Sequence, residues 1–115
     1  MDINELSPSE VFSYFQEICA IPHGSGNTGM IADYCLEFAK LHGLKARKDA
    51  ADNVVIFKAG SSGYEDCKPV ILQGHLDMVC EKEPDCDIDM SVQSIKACTD
   101  GKMVWADGTT LGADD

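Results

Sequence analysis

A histidine and three aspartates, in two short stretches, are the candidate functional side chains of this sequence. His75 and Asp77 stand two positions apart after the apolar run 70–72, and Asp114 and Asp115 are adjacent at the end of "TTLGADD". Alternate residues at the end of a strand point to the same side, so His75 and Asp77 can lie together. A carboxylate beside a metal-binding histidine commonly fixes its tautomer and orientation. The first stretch is therefore a candidate half of a metal site.

The second stretch supplies a carboxylate that a two-metal site would need. A carboxylate has two oxygens and can bridge two cations, so His-x-Asp followed by a later aspartate is the beginning of such a site. Each pattern alone has a simpler explanation, either a histidine satisfied by a local hydrogen bond or a solvated acidic turn. The two patterns together, in this order, favour the metal site.

Two helices are predicted to precede these motifs. Ser7 as the cap, Pro8 at the first helical position and Glu10 as the partner of a capping box predict the start of the first helix, and Pro22 predicts its end. Gly43 is well placed to end the second helix in a left-handed conformation. The apolar stripe of the second helix consists of Ile31, Tyr34, Cys35, Phe38 and Leu41.

Strands are predicted from residue 44 onwards. The segment 44–49 is typical of an exposed strand, 54–59 of a strand rich in β-branched residues, and 69–73 of a buried strand. A turn at Asp52–Asn53 is expected to join the first two, and Asp100–Gly101 predicts a hairpin with a type I′ turn. Helices followed by strands indicate an α/β fold in which helices cover at least one face of the sheet.

The composition excludes two classes of partner. The 115 residues carry 20 acidic and 9 basic side chains, a formal net charge of −11. Nucleic acids and anionic membranes need a basic footprint, so we expect neither as a partner. The acidic stretch 81–89 is interpreted as a solvated loop, with an acidic rim that attracts cations or ammonium groups as the alternative. Neither a signal peptide nor a membrane-spanning run is recognised, so a cytoplasmic location is expected.

The six cysteines do not form a recognisable motif. No Cys-x-x-Cys pair occurs, and Cys19 and Cys35 fall on predicted helix faces, where a cysteine acts as a small hydrophobic residue. We expect reduced thiols rather than a disulfide scaffold. A cysteine-based metal or redox protein remains an alternative function.

The two motifs together resemble the M20 family of zinc peptidases. "GHLDMV" is followed by "GTTLGADD", with Asp114 39 positions after His75. The chain is most similar to the aminoacyl-histidine dipeptidases of bacteria, also called cytosolic non-specific dipeptidases. Three further stretches share the resemblance, "LSPSEVFSYFQEICAIPHGSGN", "ADNVVIFKAG" and "DGKMVWADGTTLGADD", so that it runs along the whole chain.

The resemblance implies a role for each motif residue. His75 matches the first zinc ligand, Asp77 the catalytic-site aspartate that orients this histidine, and Asp114 the carboxylate that bridges two zinc ions. Asp115 matches a position that is not assigned as a ligand. The implied cofactor is two zinc ions in the complete protein, with cobalt or manganese as candidate substitutes. The implied substrates are short unblocked dipeptides, with Xaa-His among the candidates.

The resemblance also implies that residues 1–115 are the N-terminal part of an M20-type catalytic domain. The expected fold of this part is α/β, with two helices followed by a mixed β-sheet with a hairpin. Relatives continue with a Glu-Glu pair, a further acidic ligand, a distant histidine ligand and a lid domain that often makes a homodimer contact. The chain contains no match to these, so we expect it to be inactive alone and to hold zinc weakly.

Two other functions remain open. Within the same superfamily, the complete protein could be a tripeptidase or an amidohydrolase that acts on N-acyl amino acids. Outside it, the chain could be a truncated, non-catalytic module that binds a partner through an open sheet edge.

Overall fold

The computed structural model describes residues 2–113, so the predicted ligand Asp114 and its neighbour Asp115 lie outside the described residues. The described chain divides into two compact units. The first unit takes residues 2–31 and 76–113, and the second takes residues 32–75.

Helix α1 spans Ser9–Cys19 and follows a short 3-10 helix, Ile3–Glu5. The predicted capping box is wrong, because Pro8 occupies the cap position with an extended backbone and no side chain caps the helix. Proline has no hydroxyl to accept the first amide protons, and the serine expected to do so stands one residue too early. The helix ends before Pro22 as predicted, and Cys19 is buried as a small hydrophobic residue.

Helix α2 spans Gly29–Leu41, and its end follows the prediction. Gly43 has φ +67°, the left-handed conformation that glycine adopts without strain. The amide of Leu44 donates to the carbonyl of Ala39 at 2.8 Å, and the amide of Gly43 donates to that of Lys40 at 3.1 Å. This pair of bonds is a Schellman motif, which satisfies carbonyls at the end of the helix.

The second unit contains an antiparallel pair of strands, β1 (Lys45–Lys48) and β2 (Val54–Phe57). The predicted turn between them is confirmed. The carboxylate of Asp49 accepts hydrogen bonds from the amides of Ala51 and Asn53 and from the side chain of Asn53, at 2.9–3.0 Å. Asp52 has φ +64°, which completes the turn.

The predicted buried strand at 69–73 is wrong. This segment belongs to no strand of the described residues, and Val70, Ile71 and Leu72 are 85%, 86% and 94% exposed. An apolar β-branched run can form a strand only where a neighbouring strand offers hydrogen-bond partners, and within residues 2–113 none pairs with it. The predicted α/β class is nevertheless right, although residues 2–113 form two antiparallel pairs of strands rather than one mixed sheet.

The second strand pair lies in the first unit and forms the predicted hairpin, from β3 (Ala97–Thr99) to β4 (Val104–Ala106). The type I′ prediction is wrong, because that turn needs positive φ at both central residues and Asp100 lacks it. Instead, the Asp100 carboxylate accepts hydrogen bonds from the amides of Lys102 and Met103 at 2.9 and 2.8 Å.

The net charge is unevenly distributed along the chain. Residues 32–75 carry six acidic and six basic side chains, so the whole formal charge of −11 belongs to the remaining residues. The acidic residues of the stretch 81–89 are exposed, which confirms the predicted solvated loop. Among the described residues, the helices are too short or too polar to cross a membrane.

Candidate functional site

Asp77 lies where two segments of the first unit run side by side. The amide of Met78 donates to the carbonyl of His23 at 3.0 Å, and the amide of Ser25 donates to the carbonyl of Met78 at 3.2 Å. Gly24 and Met78 thereby form a parallel β-bridge. The "HGSG" loop is therefore fixed against the His-x-Asp motif.

The bridge brings a serine hydroxyl to the predicted site aspartate. Ser25 Oγ donates a hydrogen bond to Oδ2 of Asp77, with 2.5 Å between the two oxygens. Asp77 is half-buried, and its partner stands 52 positions earlier in the chain. Sequence analysis did not identify Ser25, because nothing in a short glycine-rich loop indicates which distant residue its hydroxyl meets.

Local packing fixes the shape of the serine loop. The His23 side chain is buried, with Nδ1 2.6 Å from the carbonyl oxygen of Ile21. The following turn closes through a 2.8 Å bond from the amide of Asn27 to the carbonyl of Gly24. A β-carbon at Gly24 would lie 2.6 Å from Sγ of Cys80, so the Cys80 side chain would have to move to admit it. Burial of the His23 side chain thus helps to fix this loop.

The segment that leads to the second motif is held against the residues after Asp77. Lys82 and Thr109 form an antiparallel bridge. The amide of Thr110 donates to the carbonyl of Glu81 at 2.9 Å, and its hydroxyl donates to the carbonyl of Val79 at 2.6 Å. These bonds align "GTTLG" with the chain that follows the His-x-Asp motif.

Gly112 of the second motif packs directly against Met78 of the first. A β-carbon added there would lie 2.9 Å from Cβ and Sδ of Met78, which is buried and directly follows Asp77. The backbone φ of Gly112 is +69°, in the region that favours glycine. The two motifs therefore meet through backbone and buried packing as far as residue 112.

The predicted metal ligands are not seen together in the described chain. His75 is the last residue of the second unit and is exposed, and Asp114 lies outside the described residues. Within residues 2–113, no group of three or more histidine, cysteine, aspartate or glutamate side chains is arranged to hold a metal ion. The ligand roles of His75 and Asp114 stay predictions.

A cavity of about 380 Å³ adjoins the serine loop. Ser25 lines it, together with Gly24, Asn27, Met78, Cys80 and Glu81 among others. Burial, followed by the negative charge of Glu81, raises the pKa of the Cys80 thiol. A thiol with a raised pKa stays protonated at neutral pH and lacks the thiolate of reactive cysteines, so a cysteine nucleophile is not favoured here.

Comparisons with known proteins find this α/β chain similar to dipeptidases. No family model matches the chain. The cytosol non-specific dipeptidase of Escherichia coli (strain K12) is 40% identical over 114 residues, which cover 99% of this chain and 24% of that protein. The crystal structure of aminoacylhistidine dipeptidase from Vibrio alginolyticus matches with a TM-score of 0.93 and 41% identity, over 99% of this chain and 23% of that one.

The chain is thus a homologue of these dipeptidases and spans about a quarter of their length. The resemblance to aminoacyl-histidine dipeptidases indicated by the motifs is confirmed. The α/β fold class is confirmed by the same structural match.

Proposed function

We propose that residues 1–115 are the N-terminal part of the catalytic domain of a zinc-dependent dipeptidase of the cytoplasm. The observation that carries the proposal is the similarity to a dipeptidase along nearly the whole chain. The remainder of the catalytic domain and a lid domain, through which the complete protein forms a homodimer, belong to further polypeptide. The proposed substrates are short unblocked dipeptides, including Xaa-His.

The proposed metal site is built from both motifs. His75 supplies an imidazole nitrogen and Asp114 a bridging carboxylate, and these donors suit zinc. Two zinc ions, when bound, would supply an activated water and polarise the scissile carbonyl. Asp77 keeps its carboxylate in a fixed direction, because Ser25 holds one of its oxygens, and orients His75.

The 115-residue chain is proposed to be inactive by itself. Three protein ligands are usual for one catalytic zinc, so a pair that shares a bridging carboxylate needs about five, of which this chain supplies His75 and Asp114. The general base, a glutamate, is likewise proposed to lie in further polypeptide. Weak zinc binding and no hydrolysis are therefore expected of the chain alone.

Native mass spectrometry with added zinc tests the half-site. We expect a mass near 12.4 kDa with little retained zinc, and still less for His75→Ala. His42→Ala is the matched control, because His42 is exposed and stacks on Phe38 at the end of α2. Two tightly held zinc ions at that mass, or equal losses in both histidine variants, would contradict the proposed ligand set.

The activity is tested on the complete open reading frame that contains these residues. A zinc-loaded protein should hydrolyse unblocked dipeptides, lose this activity with a chelator and regain it with zinc, cobalt or manganese. His75→Ala should abolish hydrolysis, and His42→Ala should not. A panel of dipeptides, tripeptides and N-acyl amino acids separates the dipeptidase from the tripeptidase and amidohydrolase alternatives. Failure to cleave any dipeptide would overturn the proposal.

The exposed apolar run at 70–72 favours a second candidate, a non-catalytic module that binds a partner there. This function predicts a stop codon directly after Asp115 and a chain that captures a partner through 70–72. An open reading frame that continues into a Glu-Glu pair and a late histidine would favour the dipeptidase instead.

A further inference from the structure

We propose that Ser25 is a positioning residue for Asp77, with its hydroxyl holding the carboxylate in the direction that the peptidase site requires. The inference rests on the proposed function for its catalytic consequence, whereas the contact itself is independent of it. Ser25 Oγ lies 2.5 Å from Asp77 Oδ2. A hydroxyl bond to a charged carboxylate is among the stronger hydrogen bonds in proteins, which suits a fixed orientation.

The serine is delivered to Asp77 by the backbone of its own loop. The amide of Ser25 is bonded to the carbonyl of Met78, and the carbonyl of His23 accepts from the amide of Met78. These two bonds fix the main chain on both sides of Gly24 relative to the residue after Asp77. The hydroxyl is thus brought into range by contacts that do not involve the hydroxyl itself.

The rest of the loop is also held without the serine side chain. Asn27 closes the turn through its amide and reaches the carbonyl of Ser91 with its side-chain nitrogen at 3.0 Å. Gly24 packs against Cys80, whose side chain would have to move to admit a β-carbon. Removal of the Ser25 hydroxyl should therefore leave the loop in place, which separates a positioning role from a role in folding.

The bond constrains one oxygen of the Asp77 carboxylate, and thereby the position of the other oxygen. With Oδ2 held by Ser25, rotation about the Cα–Cβ and Cβ–Cγ bonds of Asp77 would break the contact. Oδ1 then keeps a constant direction. Loss of groups that orient a metal ligand typically lowers metal affinity or activity by about 10- to 100-fold. We expect the loss of the hydroxyl to fall in this range.

The test compares three variants. Ser25→Ala removes the hydroxyl, Ser25→Thr keeps one, and Ser91→Ala is the matched control. The Ser91 hydroxyl also donates to an aspartate, Asp89, at 2.6 Å, and Ser91 borders the same cavity. The structure gives Ser91 no role at Asp77, so its removal should leave activity unchanged.

The first measurement uses the 115-residue chain and reports the side-chain angle of Asp77 through NMR scalar couplings. Wild type, Ser25→Thr and Ser91→Ala should show one rotamer, and Ser25→Ala should show averaged couplings. The urea midpoint of Ser25→Ala should stay close to that of wild type. A single unchanged rotamer of Asp77 in Ser25→Ala would overturn the proposal.

The second measurement uses the complete protein, with zinc affinity and steady-state kinetics as readouts. Ser25→Ala should lower kcat about 10- to 100-fold with little change in KM, and Ser25→Thr should recover most of it. Zinc affinity should fall in the same variant. Unchanged kcat and zinc affinity in Ser25→Ala would overturn the positioning role. An inactive wild-type protein would overturn the proposed function, while the NMR result would still decide whether Ser25 holds Asp77.

Discussion

Replacement of Gly112 by alanine tests whether the second motif is packed rigidly against the first. The new β-carbon would lie 2.9 Å from two atoms of Met78, at a backbone φ of +69°. A left-handed backbone destabilises a non-glycine residue by about 1–2 kcal/mol, and overpacking a filled site by about 1–3 kcal/mol. We therefore expect Gly112→Ala to lower the free energy of unfolding by about 2–5 kcal/mol.

Gly26→Ala is the control that separates the two contributions. Gly26 has φ +79° in the same unit, but a β-carbon there would meet nothing within 4 Å. Only the backbone contribution applies, so the expected loss is about 1–2 kcal/mol. Both losses are measured by urea unfolding, followed by the fluorescence of Trp105, the single tryptophan.

The difference in the free energy of unfolding between Gly112→Ala and Gly26→Ala shows whether Met78 is packed rigidly against Gly112. An additional loss in Gly112→Ala of about 1–3 kcal/mol would show that Met78 cannot move away. Equal losses of stability would refute the reasoning, because Met78 would then have moved away at no measurable cost. If Gly112→Ala is unfolded in water, both variants are measured in sucrose, which strengthens burial in each.

Two further predictions concern the serine loop and the β1–β2 turn. Gly24→Ala should lower stability by about 1–3 kcal/mol because its β-carbon meets Cys80, and Cys80→Ala should recover most of this in a double-mutant cycle. Hydrogen bonds from the Asn53 side chain, the Asn53 amide and the Ala51 amide lower the pKa of Asp49 below its ordinary value of 3.8. Because the folded pKa is the lower one, the stabilisation is present above the ordinary value and is lost as pH falls through the folded value. Urea midpoints measured below pH 4 should therefore fall less steeply for Asp49→Ala than for wild type, and parallel curves would contradict the role of Asp49.

Two elements whose cause lies in neighbouring residues were predicted correctly from the sequence. The end of α2 needs a residue that accepts positive φ, and Gly43 provides it at the expected place. The turn between β1 and β2 follows from Asp49 and Asn53, whose side chains bond to nearby backbone and to each other. In both cases the physical cause lies within a few positions of the element.

Features that depend on distant partners were missed or wrong. The run 70–72 has the composition of a buried strand, but composition does not reveal whether a neighbouring strand is present. The contact between Ser25 and Asp77 joins residues 52 positions apart, and a hydroxyl in a glycine-rich loop predicts no particular acceptor. The prediction of a local cap at Ser7 was also wrong, because Pro8 occupies the cap position.

The bridge between Lys82 and Thr109 has a consequence for the entropy of assembling a site from two motifs. It closes a loop of 27 positions, and closure of a flexible loop of that length costs roughly 3 kcal/mol of chain entropy. In the folded protein this loop is already closed, by the bridge and by the bonds of Thr110 to Val79 and Glu81. A metal ion that joins the two motifs would otherwise lose about a hundredfold in affinity to loop closure. The threonines of "GTTLG" thus hold two remote parts of the chain together before any ligand binds.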